Sequence, residues 1–394
     1  MTPNYPKILL TPKGLRWLQT GHPWVFASDL FKKETDRAGV VTVCESQGKF
    51  LARALYSPHS KIALRLLSYK EIAIDHAWFT QKILQSIQLR DSLSISSDAR
   101  RLVYAEADGL PSLIVDDYAG YLVVQTLSAG LEEYKSWIFS ILQKALAPKG
   151  IFEKNDVAVR DLEKLPRVNQ VISGEVPQTV VVREANLEFS VDLWKGQKTG
   201  AFLDQRQNRI LSGLHARGVA WDLFSYEGWF ACHLAQRAKT VICVESSEEA
   251  AAKIRENAER NSFADKISVI VANAFDVLKE KEHAGEKADI INLDPPAFVK
   301  SAKEKEGAWR GYKEINLRAM KVLQRNGGTL ITSSCSYFIS ADEFEFMLQD
   351  AAIDTKTNGQ ILERRGAASD HPSRLGFLES SYLKCFFCHI PKGE

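Results

Sequence analysis

Gly327-Gly328-Thr329-Leu330-Ile331-Thr332-Ser333-Ser334-Cys335-Ser336 reads as a glycine turn, a short buried strand, and a thiol at the strand's carboxyl end. Upstream, a second apolar run, Asp289-Ile290-Ile291-Asn292-Leu293, ends in Asp294-Pro295-Pro296. In an open α/β sheet, ligands sit in the crevice outside the carboxyl ends of the strands. Two neighbouring strand ends would then hold the Asp294 carboxyl and the Cys335 thiol over one substrate. That pairing suits covalent attack on a pyrimidine ring.

The flanking segments extend the pattern. Val219-Ala220-Trp221-Asp222-Leu223-Phe224 reads as a strand broken at Ser225-Tyr226-Glu227-Gly228. A helix follows, with Phe230, Leu234 and Ala238 at spacing four. Next come the β-branched run Thr240-Val241-Ile242-Cys243-Val244-Glu245 and an Ala-, Glu- and Arg-rich helix through Asn261. Ile267-Ser268-Val269-Ile270-Val271 then leads to Asn273-Ala274-Phe275-Asp276. Short apolar runs alternating with helical stretches predict parallel strands with crossover helices.

Glu245 falls about one βα unit after the first turn, where an acid can accept hydrogen bonds from two ribose hydroxyls. The turn has only Gly228 and lacks G-x-G-x-x-G. A dinucleotide needs those glycines for close backbone approach to its pyrophosphate. S-adenosylmethionine has no phosphate, so this turn can hold it. A dehydrogenase is disfavoured for the same reason.

Several stretches together resemble the RlmI-like 23S rRNA cytosine-5 methyltransferases, which carry an N-terminal PUA domain. In the first part they are His22-Pro23-Trp24-Val25-Phe26 and Gly48-Lys49-Phe50-Leu51-Ala52-Arg53-Ala54-Leu55-Tyr56-Ser57-Pro58. The middle matches at Glu106-Ala107-Asp108-Gly109-Leu110-Pro111-Ser112-Leu113-Ile114-Val115-Asp116, and again from Gly196 to Arg206. Leu293-Asp294-Pro295-Pro296-Ala297-Phe298 and Ser334-Cys335-Ser336 match the catalytic motifs. Asp370-His371-Pro372 and Tyr382-Leu383-Lys384 match the C-terminal region.

The resemblance implies an α/β fold class: a small β-rich PUA-like domain, a central α+β domain, and a Rossmann-like class I methyltransferase domain. It implies S-adenosylmethionine as cofactor, rRNA as partner, a cytoplasmic location, no membrane association, and a homodimer as an allowed assembly. Carried onto this chain, Cys335 is the nucleophile and Asp294 faces ring nitrogen 3 of the cytosine. The cofactor meets Phe224, Ser225, Tyr226, Gly228, Glu245, Asn273, Ala274 and Asp294, with Gln205 and Arg206. Pro295, Pro296, Phe298, Lys384, Lys13, Arg16 and Arg53 are expected toward RNA. The chain departs from the family at the cofactor turn, where Glu227 and Trp229 stand in place of small residues. Glu245 and Asn273 each stand where Asp is usual.

Hydrophobic content of 45% and charged content of 25% are ordinary for a soluble globular chain of 394 residues, which should hold two or three domains. The expected boundaries are 1–72, 73–185 and 186–394. Residues 1–71 carry seven Lys and four Arg against two Asp and three Glu, a net of +6 in a chain of +2, which leaves −4 for the rest. A small basic domain suits phosphate contact. In the second part the reading gives a helix from Ile74 to Leu89, a hairpin around Asp116 to Gly120, and a helix from Leu131 to Leu146. A strand from Leu187 to Leu193 starts the third. The charged run Lys300 to Lys313 reads as a mobile loop over the site or as a solvated helix start.

The six cysteines suggest reduced thiols rather than a disulfide framework. Cys385-Phe386-Phe387-Cys388-His389 matches the haem-attachment pattern. It reads better as a buried strand, whose residues three apart point to opposite faces. Cys44, Cys232 and Cys243 sit in apolar patterns as core residues, and no metal site is expected. The nearest rival function is methylation of an exocyclic amine or a ring nitrogen. Those enzymes put an aromatic where this chain has Ala297, with Phe298 one residue late, and they need no thiol. The other rival is an RNA-binding homologue without catalysis.

Overall fold

The computed structural model describes residues 3–298 and 305–393. Residues 300–304 of the charged run lie outside the described residues. The chain divides into two compact units, one of Met1–Val182, Val191–Leu203 and Ser369–Ser380, the other of Arg183–Ser190, Asp204–Ala368 and Ser381–Glu394.

The second unit is built on a seven-stranded sheet. In chain order its elements are α1 (Arg206–His215), β1 (Val219–Leu223), α2 (Trp229–Ala235), β2 (Thr240–Glu245), α3 (Glu248–Arg260), β3 (Ile267–Val271), α4 (Ala274–His283), β4 (Ile290–Leu293), α5 (Lys305–Gln324), β5 (Gly328–Ser334), α6 (Ala341–Asp354), β6 (Gln360–Arg365) and β7 (Lys384–Ile390). The strand order is β3-β2-β1-β4-β5-β7-β6. β1 to β5 pair in parallel, and β7 inserts antiparallel between β5 and β6. Strand order reverses at β1, so the crevice that such sheets use for ligands opens at the carboxyl ends of β1 and β4.

The strands form where apolar runs predict them, and both sheet faces are covered. Trp221, Leu223, Ile291, Leu293 and Leu330 on the strands pack with Tyr312, Ile315, Ala319, Phe344 and Met347 of α5 and α6. The Leu, Ile, Phe and Met side chains among them each contribute about 1.5–3 kcal/mol on full burial. Polar residues punctuate the helix starts. Ser247 caps α3, Asn273 caps α4, and Ser340 with Glu343 forms a capping box on α6. α2 stops at Ala235, one turn earlier than the spacing through Ala238 predicts. From Lys305 onward the charged run is helical.

The first unit holds two sheets, one from residues 1–72 and one from residues 73–185. The six-stranded sheet runs Trp24–Phe26, Ile62–Ser68, Phe50–Tyr56, Gly39–Cys44, Lys7–Leu10, Leu30–Lys33. The five-stranded one runs Val168–Gly174, Gly150–Asn155, Tyr121–Thr126, Leu113–Tyr118, Ala99–Tyr104, with helices His76–Asp91 and Lys135–Leu146 packed on it. The single helix read from Leu131 to Leu146 is instead two, Ala129–Glu132 and Lys135–Leu146. Tyr134 sits at the break, its ring stacked on Phe79 at 5.2 Å and its hydroxyl accepting the Val40 N–H at 3.2 Å. No helix among the described residues is long and apolar enough to cross a membrane.

Candidate active site

The turn after β1 is wrapped tightly. Phe224, Tyr226 and Gly228 have φ of 63°, 49° and 77°. Non-glycine residues reach this region only under constraint, and such constraint clusters at ligand sites. The constraint is visible, because Phe224 and Ser225 both donate their N–H groups to Val244 O at 3.0 and 3.1 Å. Ser225 Oγ donates to Asp222 O at 2.5 Å. At Gly228 a Cβ would lie 2.9 Å from Ile254 Cγ2, so only glycine fits.

One of the two departures in this turn, Trp229, is absorbed by the core. The Trp229 ring stacks on Phe189 at 4.2 Å and 10°, with the Arg209 guanidinium 4.8 Å from its centre. Glu227 is buried, and its carbonyl accepts Asn257 Nδ2 at 2.9 Å.

Glu245, at the end of β2, crosses to this turn. Its Oε2 accepts the Tyr226 N–H and its Oε1 the Ser247 N–H, each at 2.9 Å. Oε1 also accepts Ser246 Oγ at 3.3 Å, which leaves Oε2 with a lone pair for a hydroxyl donor. Asn273 Oδ1 accepts the Phe275 N–H at 2.8 Å as the cap of α4. Asn and Asp cap about equally well, so the departure from Asp here is structurally neutral. Ala274 lies buried behind it.

Asp294 follows β4, and Cys335 follows β5. Gln205 ties these two strand ends together, because its Nε2 donates to Asp294 Oδ1 at 2.9 Å and to Ser333 Oγ at 3.3 Å. The amide is held in turn by Asn208, whose Nδ2 donates to Gln205 Oε1 at 2.6 Å and to Gly366 O at 3.0 Å. Arg365 donates to Asn208 Oδ1 at 3.1 Å. Gln205, expected near the cofactor, thus bridges the two candidate catalytic strands. Arg206 starts α1 and is buried. Pro295 is buried and Pro296 exposed. Phe298 packs on Tyr312 at 4.5 Å between ring centres.

All six cysteines are free, and five of them are buried, while Cys335 is partly open. Burial pushes the thiols of Cys232, Cys385 and Cys388 up to about 12. Cys385 and Cys388 lie on β7, Cys388 within the hydrophobic core. Thiolate character and access together make a cysteine reactive, which leaves Cys335 as the candidate.

Two expectations are corrected. Lys384, expected toward RNA, is enclosed at 4% exposure and donates to Ser336 O at 2.6 Å and Tyr382 O at 2.8 Å. Arg53 is also enclosed. Its guanidinium lies 4.8 Å from the Tyr5 ring centre and 5.4 Å from that of Phe50, and its Nε donates to Ile72 O at 3.1 Å. Lys13 and Arg16 are exposed on the helix Pro12–Gln19, Lys13 paired with Asp29 at 3.2 Å.

The sequence reading passed over Asp222. Fully buried on β1, it accepts Asn292 Nδ2 at 2.8 Å. Burial, helped by the charge of Asp294, pushes its carboxyl up to about 7. An acid inside an otherwise apolar strand was the available signal. The donor set fits S-adenosylmethionine on this structure. Glu245 offers an acceptor to ribose, the Asp294 carboxyl stands at the end of β4 where the crevice opens, and nothing in the turn cradles a phosphate.

Comparison with known proteins agrees. Residues 8–69 match a PUA-like domain, and residues 110–373 match the S-adenosylmethionine-dependent methyltransferase family. Ribosomal RNA large subunit methyltransferase I of Vibrio cholerae is 39% identical, covering 98% of this chain and 99% of its own length. The protein of the same name from Erwinia tasmaniensis is 37% identical with the same coverage. Among solved structures, a methyltransferase complexed with SAH superposes with a TM-score of 0.84 at 22% identity, over 97% of this chain and 99% of that one. A SAM-dependent methyltransferase from Streptococcus mutans gives 0.82 at 22% identity with the same coverage. The chain therefore belongs to the S-adenosylmethionine-dependent methyltransferase family, within the group that carries an N-terminal PUA-like domain, and its cofactor is S-adenosylmethionine.

Proposed function

We propose that this enzyme methylates carbon 5 of a cytosine in large-subunit rRNA, through a covalent bond between Cys335 and carbon 6. The observation that carries the chemistry is the single partly open thiol at the end of β5, tied by Gln205 to the carboxyl at the end of β4. The relatives' name carries the RNA.

Carbon 5 of cytosine is a weak nucleophile. Addition of the Cys335 thiolate to carbon 6, with a proton shared between Asp294 and ring nitrogen 3, makes carbon 5 enamine-like. S-adenosylmethionine supplies an electrophilic methyl group on a sulfonium. After carbon 5 carries the methyl, its proton leaves to a base, the carbon 6–sulfur bond breaks, and Cys335 is released as a thiolate. Asp294 takes back the proton from nitrogen 3. Gln205 Nε2 holds one Asp294 oxygen, which orients the carboxyl for that exchange.

Glu245 and the turn from Phe224 to Gly228, with Asn273 and Ala274, hold the cofactor in this reading. Lys13 and Arg16 belong to a phosphate-contacting face of residues 1–72. Large-subunit rRNA as partner, a cytoplasmic site of action and a homodimer complete the proposal. Mass spectrometry of rRNA nucleosides with and without the protein tests it, 5-methylcytosine being the expected difference. A new methylated amine or ring nitrogen in its place would overturn the carbon 5 assignment.

A further inference from the structure

Lys384 opens β7 directly opposite Ser334 in the antiparallel ladder with β5. Its ammonium donates to the carbonyl of Ser336 at 2.6 Å and to that of Tyr382 at 2.8 Å. These bonds hold the charge against the segment Ser334–Ser336, whose middle residue is Cys335. An ammonium taken out of water is costly unless an anion compensates it. Among the described residues, none of the hydrogen bonds of Lys384 goes to a carboxylate. Glu343 on α6 acts on it only from a distance and is itself paired with Lys305 at 2.5 Å.

We propose that Lys384 is the fixed counter-ion of Cys335, a positioning residue that favours the thiolate before RNA binds. The inference rests on the reading of Cys335 as nucleophile. In this arrangement the Cys335 proton leaves to solvent and Lys384 keeps its own. Burial pulls the Lys384 ammonium down to about 8, against the charges of Cys335 and Glu343. The pairing therefore holds at neutral pH and fades as pH rises above that value. The other groups at this corner are Tyr312 on α5, whose hydroxyl meets Ser336 Oγ at 3.0 Å, Asp294 beyond β4, and Arg365 on β6, opposite Cys385. Asp294 and Glu343 oppose a thiolate, so the nearby lysine has to outweigh them.

Iodoacetamide alkylation of Cys335 in the full chain, followed across pH by peptide mass spectrometry, reads the thiolate directly without RNA. Lys384→Met should raise the alkylation midpoint by about one unit or more, a roughly tenfold loss of thiolate at neutral pH. Lys384→Arg should restore most of it. The five buried cysteines should stay unmodified in every variant, which controls for unfolding. An unchanged midpoint in a folded Lys384→Met protein overturns the proposal. The reciprocal test leaves the lysine in place. In Cys335→Ser, NMR of 13Cε-labelled lysine should show Lys384 titrating at lower pH than in the parent, and an unmoved titration also overturns the pairing. Should Cys335→Ala keep methylating RNA, the nucleophile reading falls. The alkylation result still decides the ion pair by itself.

Discussion

Two buried charges in the methyltransferase unit are satisfied in opposite ways. Glu184 receives Arg209 at 2.8 and 2.6 Å and His233 at 3.0 Å. Burial pushes its carboxyl up, and the Arg209 guanidinium, with hydrogen bonds from Arg209 and His233, outweighs burial and holds it down at about 2. Lys384 has main-chain carbonyls instead, and burial pulls its ammonium down to about 8. A charge met by its opposite has little field left for a neighbour. A charge met by dipoles keeps most of it, and in a low-dielectric pocket that field acts strongly on whatever lies next to it. Asp222 is a third case, because a neutral amide from Asn292 leaves it to take up a proton near neutral pH.

The chemical side of this contrast breaks first at Cys335. Cys335→Ala should lower methylation by about 1,000-fold or more with the fold and cofactor binding kept. RNA bearing 5-fluorocytosine should trap the parent protein at Cys335, because fluorine cannot leave as the proton does. Near-normal turnover in the variant would move amine methylation to first place.

The structural side breaks at Glu184. Glu184→Ala strands Arg209 and His233 and should cost about 3–5 kcal/mol in urea denaturation. Lys384→Met deprives only two carbonyls of a donor and should cost about 1–2 kcal/mol. Equal losses would show that both charges are structural.

Asp222 sharpens the third case through pH. Its folded value lies above the unfolded one, so the folded protein binds the extra proton between about pH 4 and pH 7. That contribution is present at low pH and lost as pH rises through about 7. Asp222→Asn keeps the acceptor for Asn292 and cannot ionise. It should therefore gain on the order of 4 kcal/mol over the parent at pH 8, and nothing near pH 4. A pH-independent difference would contradict the raised carboxyl.

Charges at the ligand-facing surfaces should show the smallest effects. Glu245→Ala, at a half-buried carboxylate, should weaken S-adenosylmethionine binding by about tenfold or more in calorimetry. The double variant Lys13→Gln with Arg16→Gln should lower the slope of RNA affinity against salt by about 1–2. An unchanged slope would remove these residues from the RNA face.

What was legible in the sequence follows from what is local. The strands β1 to β5 announce themselves because each is an apolar, β-branched run ending in a turn, and Cys335 and Asp294 stand out at such ends. β7 also reads as a buried strand. Its place between β5 and β6 is a matter of long-range pairing, so nothing local revealed that Lys384 is enclosed against the Ser336 carbonyl. Arg53 was misread for a similar reason. A count of basic residues records sign but not burial, and its cation lies among Tyr5, Phe50 and Ile72. The break near Tyr134 depends on Phe79 and Val40, both far away in sequence. Asp222 needed the neighbouring strands to show that its acid is enclosed.

The antiparallel strand has a consequence for synthesis. β5 and β6 emerge from the ribosome before β7, yet neither pairs with the other. A growing chain therefore exposes the hydrogen-bonding edge of β5, the kind of open edge that invites wrong partners. β7 closes that edge and carries Lys384 to its position in the same step. If Lys384 favours the thiolate as proposed, Cys335 gains that partner only once β7 has paired with β5.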